Sequence, residues 1–147
     1  MKDNKGFSLL ELLIVVAIIL IIATIAIPSL LRSRQAANES AAVANLRTVN
    51  TAEVTYLSSA GGNYGTLAGL VSAGLLDDTF LGGATQPKAG YVYTITIASP
   101  WQDYTAEAVP ASPNTGRYGY YSTPDAVVRY STTATLAPAG QAGRSVQ

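Results

Sequence analysis

The chain contains no cysteine and no histidine. Disulfides, thiol nucleophiles and imidazole bases are thereby excluded, and with them nearly every transition-metal site. The distal part of the chain must be held by packing alone. The missing cysteine is compatible with the cytoplasm or with export, so it does not decide the compartment. Charge is scarce as well: nine Lys and Arg against nine Asp and Glu leave 147 residues formally neutral. Charges scattered singly along a neutral chain offer no electrostatic footprint for nucleic acid. No charged residue occurs between Glu11 and Arg32, and no glycine between Phe7 and Gly61.

What the chain has in excess is apolar sequence in one place. Its length suits one modest domain with an appended element. The 48% hydrophobic content is an average over two unlike parts. From Phe7 to Ile27 nearly every residue is apolar; beyond Pro28, Ala, Thr, Ser, Gly and Tyr take over. As a helix the first part spans about 30 Å, the thickness of a bilayer core. Lys2 and Lys5 precede it, which places the N-terminus in the cytoplasm and everything after Pro28 outside. A cleaved secretory signal fits poorly, because its apolar region runs only about 7–15 residues and ends at a small-x-small site. Here the first good A-x-A, Ala42-Val43-Ala44, lies well beyond Arg32 and Arg34. A plain anchor fits the length but leaves Glu11 unexplained. A carboxylate at the centre of a spanning helix costs on the order of 2.5–3.5 kcal/mol, less near the interface where Glu11 falls. An acid in this setting is a functional hypothesis that needs a cationic partner.

Lys5-Gly6-Phe7-Ser8-Leu9-Leu10-Glu11, followed at once by the apolar run, resembles the processing site of type IV prepilins and the related pseudopilins. The resemblance implies that a prepilin peptidase cuts after Gly6 on the cytoplasmic side and that the new N-terminal amine, on Phe7, is methylated. It implies that Glu11 meets the positive N-terminus of a neighbouring subunit during assembly. It implies a kink at Pro28, although the helix-weakening glycine common upstream in the family is absent and Leu20 stands in that stretch. Any loosening would therefore centre on Pro28 alone.

Past Pro28 the helix is expected to run to about Leu57 and stop at Gly61-Gly62. Its larger apolar residues Val43, Leu46, Val54 and Leu57 mark one face, interrupted by Asn50 and flanked by Ala42 and Val49. That face suits packing on the protein's own sheet, with a coiled-coil partner as the alternative. The mature helix would be near 75 Å long at about 1.5 Å per residue, so its apolar front half must find lipid or other copies. A connecting loop follows, with a short helix from about Leu67 to Ala73 and Thr66 available to cap it. Asp77-Asp78 lacks a spaced third ligand and reads as a solvated turn, and Gly61 to Gly65 lacks the ending of a phosphate loop. Period-2 alternation then gives strands around Tyr91–Ala98, Asp103–Ala108, Tyr118–Tyr120 and Val128–Tyr130, separated by Ser99-Pro100, Pro110 to Gly116 and Pro124-Asp125. Short sequential connections argue for an antiparallel meander. Seven of the nine tyrosines lie between Tyr91 and Tyr130, with Trp101 among them; they are expected to replace aliphatic core on one sheet face.

The fold expected is α+β, a long N-terminal helix packed on a small antiparallel sheet. Its segments are a leader (1–6), an apolar helix (7–28), an amphipathic continuation (29–60), a loop with a short helix (61–90), the meander (91–131) and a polar tail (132–147), mobile or a late edge strand. The function implied is a structural subunit of a type IV pilus, a non-enzyme without cofactor or metal. Its implied partners are copies of itself in a helical filament, the prepilin peptidase and methyltransferase, an inner-membrane assembly platform, and lipid before assembly. Its path leads from a single-pass inner-membrane form to an extracellular pilus, or to a periplasmic pseudopilus. A type II secretion pseudopilin or a minor pilin shares the same N-terminal motif. A tyrosine-rich surface for adhesion or DNA capture is the alternative from another class. A tethered enzyme has little to work with, since Lys88 is the only lysine left after processing.

Overall fold

In a computed structural model, which describes residues 7–131 and 143–146, a long helix is followed by a short one, a 3-10 turn and five strands. Helix α1 spans Leu9–Ser59. Packing divides the chain into two units at Arg34, residues 1–34 and 35–147. In the first, the large apolar side chains from Phe7 to Leu31 are exposed, and the helix is long and apolar enough to cross a membrane. Helical backbone continues through Pro28. Proline lacks the N–H that would bond the carbonyl of Thr24. The Thr24 hydroxyl meanwhile donates to the Ile21 carbonyl at 2.7 Å.

In the second unit α1 buries Glu39, Ala42, Val43, Leu46, Val49, Asn50, Ala52 and Glu53. Apart from Ala52, this is the three-and-four spacing of one helix face. It corrects the sequence expectation at its far end. Val54 is 59% exposed, and the face runs instead through Asn50 and Glu53. A shift of one residue turns a helix by about 100°, so the two assignments look out of different sides. The reason is that both polar residues find partners across the core. Asn50 donates to the Ala126 carbonyl at 3.3 Å and accepts from the Tyr104 hydroxyl at 3.0 Å. Glu53 accepts the Gly65 N–H at 2.9 Å.

Gly61 and Gly62, with φ of 66° and 87°, let the chain leave α1, the Gly62 N–H closing on the Leu57 carbonyl. Helix α2, Leu67–Ser72, is capped by Thr66, whose hydroxyl accepts the Gly69 N–H. A 3-10 turn, Asp78–Gly82, is capped by Asp77, whose carboxylate also holds Lys88 at 2.7 Å. Strands β1 (Tyr91–Ala98), β2 (Asp103–Pro110), β3 (Gly119–Ser122), β4 (Arg129–Ser131) and β5 (Arg144–Ser145) pair in sequence order, each antiparallel to the next. The fifth lies in the polar tail; residues 132–142 and 147 of that segment are outside the described residues. The α+β class expected from the sequence is the one observed.

Tyrosine replaces aliphatic core, as the crowding of tyrosines implies. Tyr91, Tyr93, Tyr104, Tyr120 and Tyr121 are buried. A buried phenol needs a hydrogen-bond partner. Tyr91 donates to the Tyr118 carbonyl at 2.9 Å, Tyr104 to Asn50, and Tyr93 accepts from the Asn45 amide at 2.9 Å. Burial disfavours the phenolate, and Tyr120 is pushed up to about 12. Two parts of the expectation fail. Tyr120 and Tyr121 are adjacent in β3 and both buried, so tyrosine occupies both sheet faces there, because all four residues of β3 are enclosed. Trp101 is not core at all: its turn leaves it 51% exposed.

Side chains on one edge of α1 fasten the loop between β2 and β3. Gln35 donates to the Pro113 carbonyl and Asn38 to the Thr115 carbonyl, both at 2.9 Å. Glu39 accepts the Arg117 backbone N–H at 2.9 Å and pairs with its guanidinium at 3.1 Å. Between them Gly116 lies flat on Tyr91: a Cβ there would overlap the hydroxyl and stand 2.6 Å from Cζ. Overpacking of this kind typically costs about 1–3 kcal/mol. Gly116→Ala is expected to destabilise the full chain by at least that much in denaturant unfolding followed by near-UV circular dichroism.

Glu53 is fully buried, one oxygen on Gly65 and the other without a partner among the described residues. Desolvation raises its pKa above the ordinary 4.5, against the opposing Gly65 hydrogen bond. Above pH 4.5 the unfolded chain then releases this proton more readily than the folded one, so stability falls as pH rises through the raised folded value. Asp125 behaves oppositely: its hydrogen bond to Arg129 lowers it to about 2, so its contribution is lost only as pH falls through the range from 4 to 2. Glu53→Gln is expected to flatten the decline in thermal midpoint above pH 4.5 and to leave the acid limb unchanged.

Candidate functional site

The head of α1 is built from the stretch Phe7 to Glu11, in which three residues have separate tasks. Phe7 is 77% exposed and precedes the helix. Ser8 is the cap: its hydroxyl accepts the Leu10 N–H at 3.3 Å, and its carbonyl takes the first helical bond from Leu12 at 3.2 Å. Glu11 reaches back, its Oε2 accepting the Ser8 N–H at 3.0 Å. Ser8-Leu9-Leu10-Glu11 is thus a reciprocal capping box, which satisfies two of the donors that a helix start leaves open. A carboxylate in the first turn also suits the positive end of the helix dipole. The sequence reading took Glu11 only as a charge awaiting a partner. It missed that Ser8 and Glu11 act on each other, although S-x-x-E before an apolar run is the signal for this arrangement.

The remaining residues singled out from the sequence are not gathered at this point. Gly6, expected to precede the cleaved bond, and the leader around it lie outside the described residues. Pro28 sits inside α1, well along the helix from Glu11. Among the described residues no group of three or more Asp and Glu stands close enough to hold a metal ion. Asp77 is committed to Lys88 and Thr79, which lower its pKa. The head of α1 therefore offers one carboxylate, half engaged by its own chain, beside the residue that processing would turn into an amine. That arrangement can pair with a cation.

Ser8→Ala removes one half of the box. It is expected to weaken the first turn by about 1 kcal/mol, typical of a lost cap. The measurement is faster amide exchange at Leu10 in the full chain in micelles, with exchange at residues near Leu46 unchanged.

Residues 1–27 match the family described as the prokaryotic N-terminal methylation motif. Two curated relatives are similar to the chain. The type IV wide pilus major component PilA4 of Thermus thermophilus is 40% identical over 75 residues, which is 51% of this chain and 57% of the relative. The type IV major pilin protein PilA of Myxococcus xanthus is 46% identical over 55 residues, 37% of this chain and 25% of the relative. The chain thus spans little more than half the length of one and a quarter of the other. No solved structure matches it significantly. With the motif at its start, an apolar helix behind it and a small antiparallel sheet packed on that helix's second half, the chain is similar to type IV pilins, and the likeness in sequence covers at most 51% of its length.

Proposed function

We propose that the chain is a structural subunit of a type IV pilus, processed after Gly6 and assembled through the first half of α1. The observation that carries this reading is the head of α1, where an exposed apolar helix carries Glu11 as its one acid before Arg32, four residues beyond Phe7. In water such a surface is unfavourable by about 25 cal/mol per Å². In lipid it is not, since acyl chains are as apolar as leucine. Exchange of lipid for neighbouring helices is then close to neutral for the apolar side chains, and the charge decides. Cleavage turns the Phe7 nitrogen into an amine, and methylation keeps it cationic. Glu11 already accepts the Ser8 N–H of its own chain. Its other oxygen is left for the amine of a neighbour, and an unpaired carboxylate in lipid favours joining that neighbour. Pro28 is where the helix bends if the fibre requires it, because one backbone bond is already missing there.

Before assembly the chain stands in the inner membrane as a single span with its N-terminus in the cytoplasm, where prepilin peptidase and methyltransferase act. An assembly platform then passes it into the extracellular fibre. The role is structural. The relatives' printed names, both of major pilins, favour the major subunit over a minor pilin or pseudopilin.

Intact mass and N-terminal sequence, taken from sheared surface material and from membranes, test this reading. An abundant sheared chain starting at methylated Phe7 is the expected result. The same chain confined to the envelope would favour a pseudopilin, and an uncut chain in both fractions would overturn the filament reading. Glu11→Ala is expected to leave cleavage intact and to cut fibre yield at least about tenfold, the effect of roughly 1.4 kcal/mol in assembly. Normal fibres from that variant would remove the proposed role of the carboxylate.

A further inference from the structure

A cleft of about 400 Å³ opens where the last turns of α1, loop 63–66 and the β1–β2 turn meet, and Tyr56, Asn63, Tyr64, Gly65, Thr66 and Trp101 form its walls. Its size falls within the range of small-molecule sites, about 300–1,000 Å³. We propose that this cleft binds a neutral saccharide, one sugar ring stacking on Trp101 and its hydroxyls meeting the polar groups of loop 63–66.

The lining selects the class of ligand. Among the described residues no charged side chain borders the cleft, so a phosphate or carboxylate finds no cation there. A cationic ligand finds no acidic side chain among the residues that line it. What remains is aromatic surface with an exposed amide and a hydroxyl at its border, from Asn63 and Thr66. A pyranose matches both, with an apolar C–H face for the ring and hydroxyls around its edge.

The walls are held in advance of any ligand. Trp101 adopts a φ of 78°, a region where a bulky residue is an outlier and glycine the ordinary occupant. Its N–H donates to the Ala98 carbonyl at 2.8 Å, and its carbonyl accepts the Tyr64 N–H at 2.9 Å, which ties the two walls together. Tyr64 packs edge-on against Tyr104 at 4.8 Å between centroids. The Tyr56 ring lies against Gly65, 3.0 Å from where a Cβ would stand. Glu53 holds the same glycine through its backbone N–H, with its other oxygen buried and without a partner among the described residues. A fold needing only stability would place glycine at 101 and an uncharged residue at 53. Departures of this kind gather at ligand sites, where a fixed surface is worth more than local stability.

The test uses the full-length chain in a detergent without a sugar headgroup and does not depend on the pilus reading. Trp101 is the only tryptophan, so its emission reports directly on the cleft. Tetramers of glucose, galactose, N-acetylglucosamine and N-acetylgalactosamine are titrated, with choline as a cationic probe. At least one tetramer is expected to shift the emission saturably while choline does not. Trp101→Gly suits the backbone and is expected to fold with an undiminished thermal midpoint. By calorimetry it should bind the active tetramer at least about tenfold more weakly, as befits loss of one aromatic contact. A shift produced by choline alone, by no tetramer, or binding unchanged in Trp101→Gly overturns the proposal.

Discussion

The distal unit depends on a single polar seam along α1, from Gln35 to Glu53. A sheet of five short strands has little apolar surface to bury, and no disulfide adds to its stability. Here the helix supplies the fastening by reaching into two of the loops that leave the sheet and into the chain that follows α1 itself. Gln35, Asn38 and Glu39 take the β2–β3 loop, Asn50 takes the β3–β4 turn and Tyr104, and Glu53 takes the chain leaving α1. Leu46 and Val49, between them, fill the centre. The hydrogen bonds are individually modest, each about 0.5–1.5 kcal/mol net. Their loss is more serious, because most would leave a shielded donor or acceptor without a partner.

The first unit follows a different rule. Its apolar side chains find nothing among the described residues to cover them, so its state is set by what surrounds it. The capping box at Ser8 and Glu11 makes the helix head self-sufficient in backbone hydrogen bonds. Assembly need not then create that turn. The same carboxylate serves two purposes, ordering its own helix and remaining partly open to an outside cation.

The features legible in the sequence were those carried by local pattern. An unbroken apolar run, an acid four residues into it and a Gly-Phe pair ahead of it are visible at sight. The alternation of Tyr91, Tyr93, Ile95 and Ile97 likewise announces a strand. What pattern could not convey were assignments made by distant partners. Asn50 and Glu53 look like interruptions of an apolar stripe until Tyr104 and Gly65 are seen to meet them, which is why Val54 was wrongly placed inward. Tyr121, beyond the strand expected at Tyr118–Tyr120, is buried on the face opposite Tyr120, because all four residues of β3 are enclosed. Trp101 was counted with the core because of its neighbours in sequence, whereas its exposure follows from the conformation of one turn. Ser8 was the exception. Its partnership with Glu11 is local and could have been read.

The placement of the seam also bears on mechanics. A pull transmitted along α1 enters the distal unit at Gln35, Asn38 and Glu39, where several bonds to one loop stand side by side. Bonds loaded together share tension, whereas bonds loaded in turn open one after another. The first contacts that α1 makes in the distal unit are thus joined to one loop by several bonds at once. A unit without disulfides gains from loads shared in this way a tolerance to tension that its folding free energy alone would not suggest.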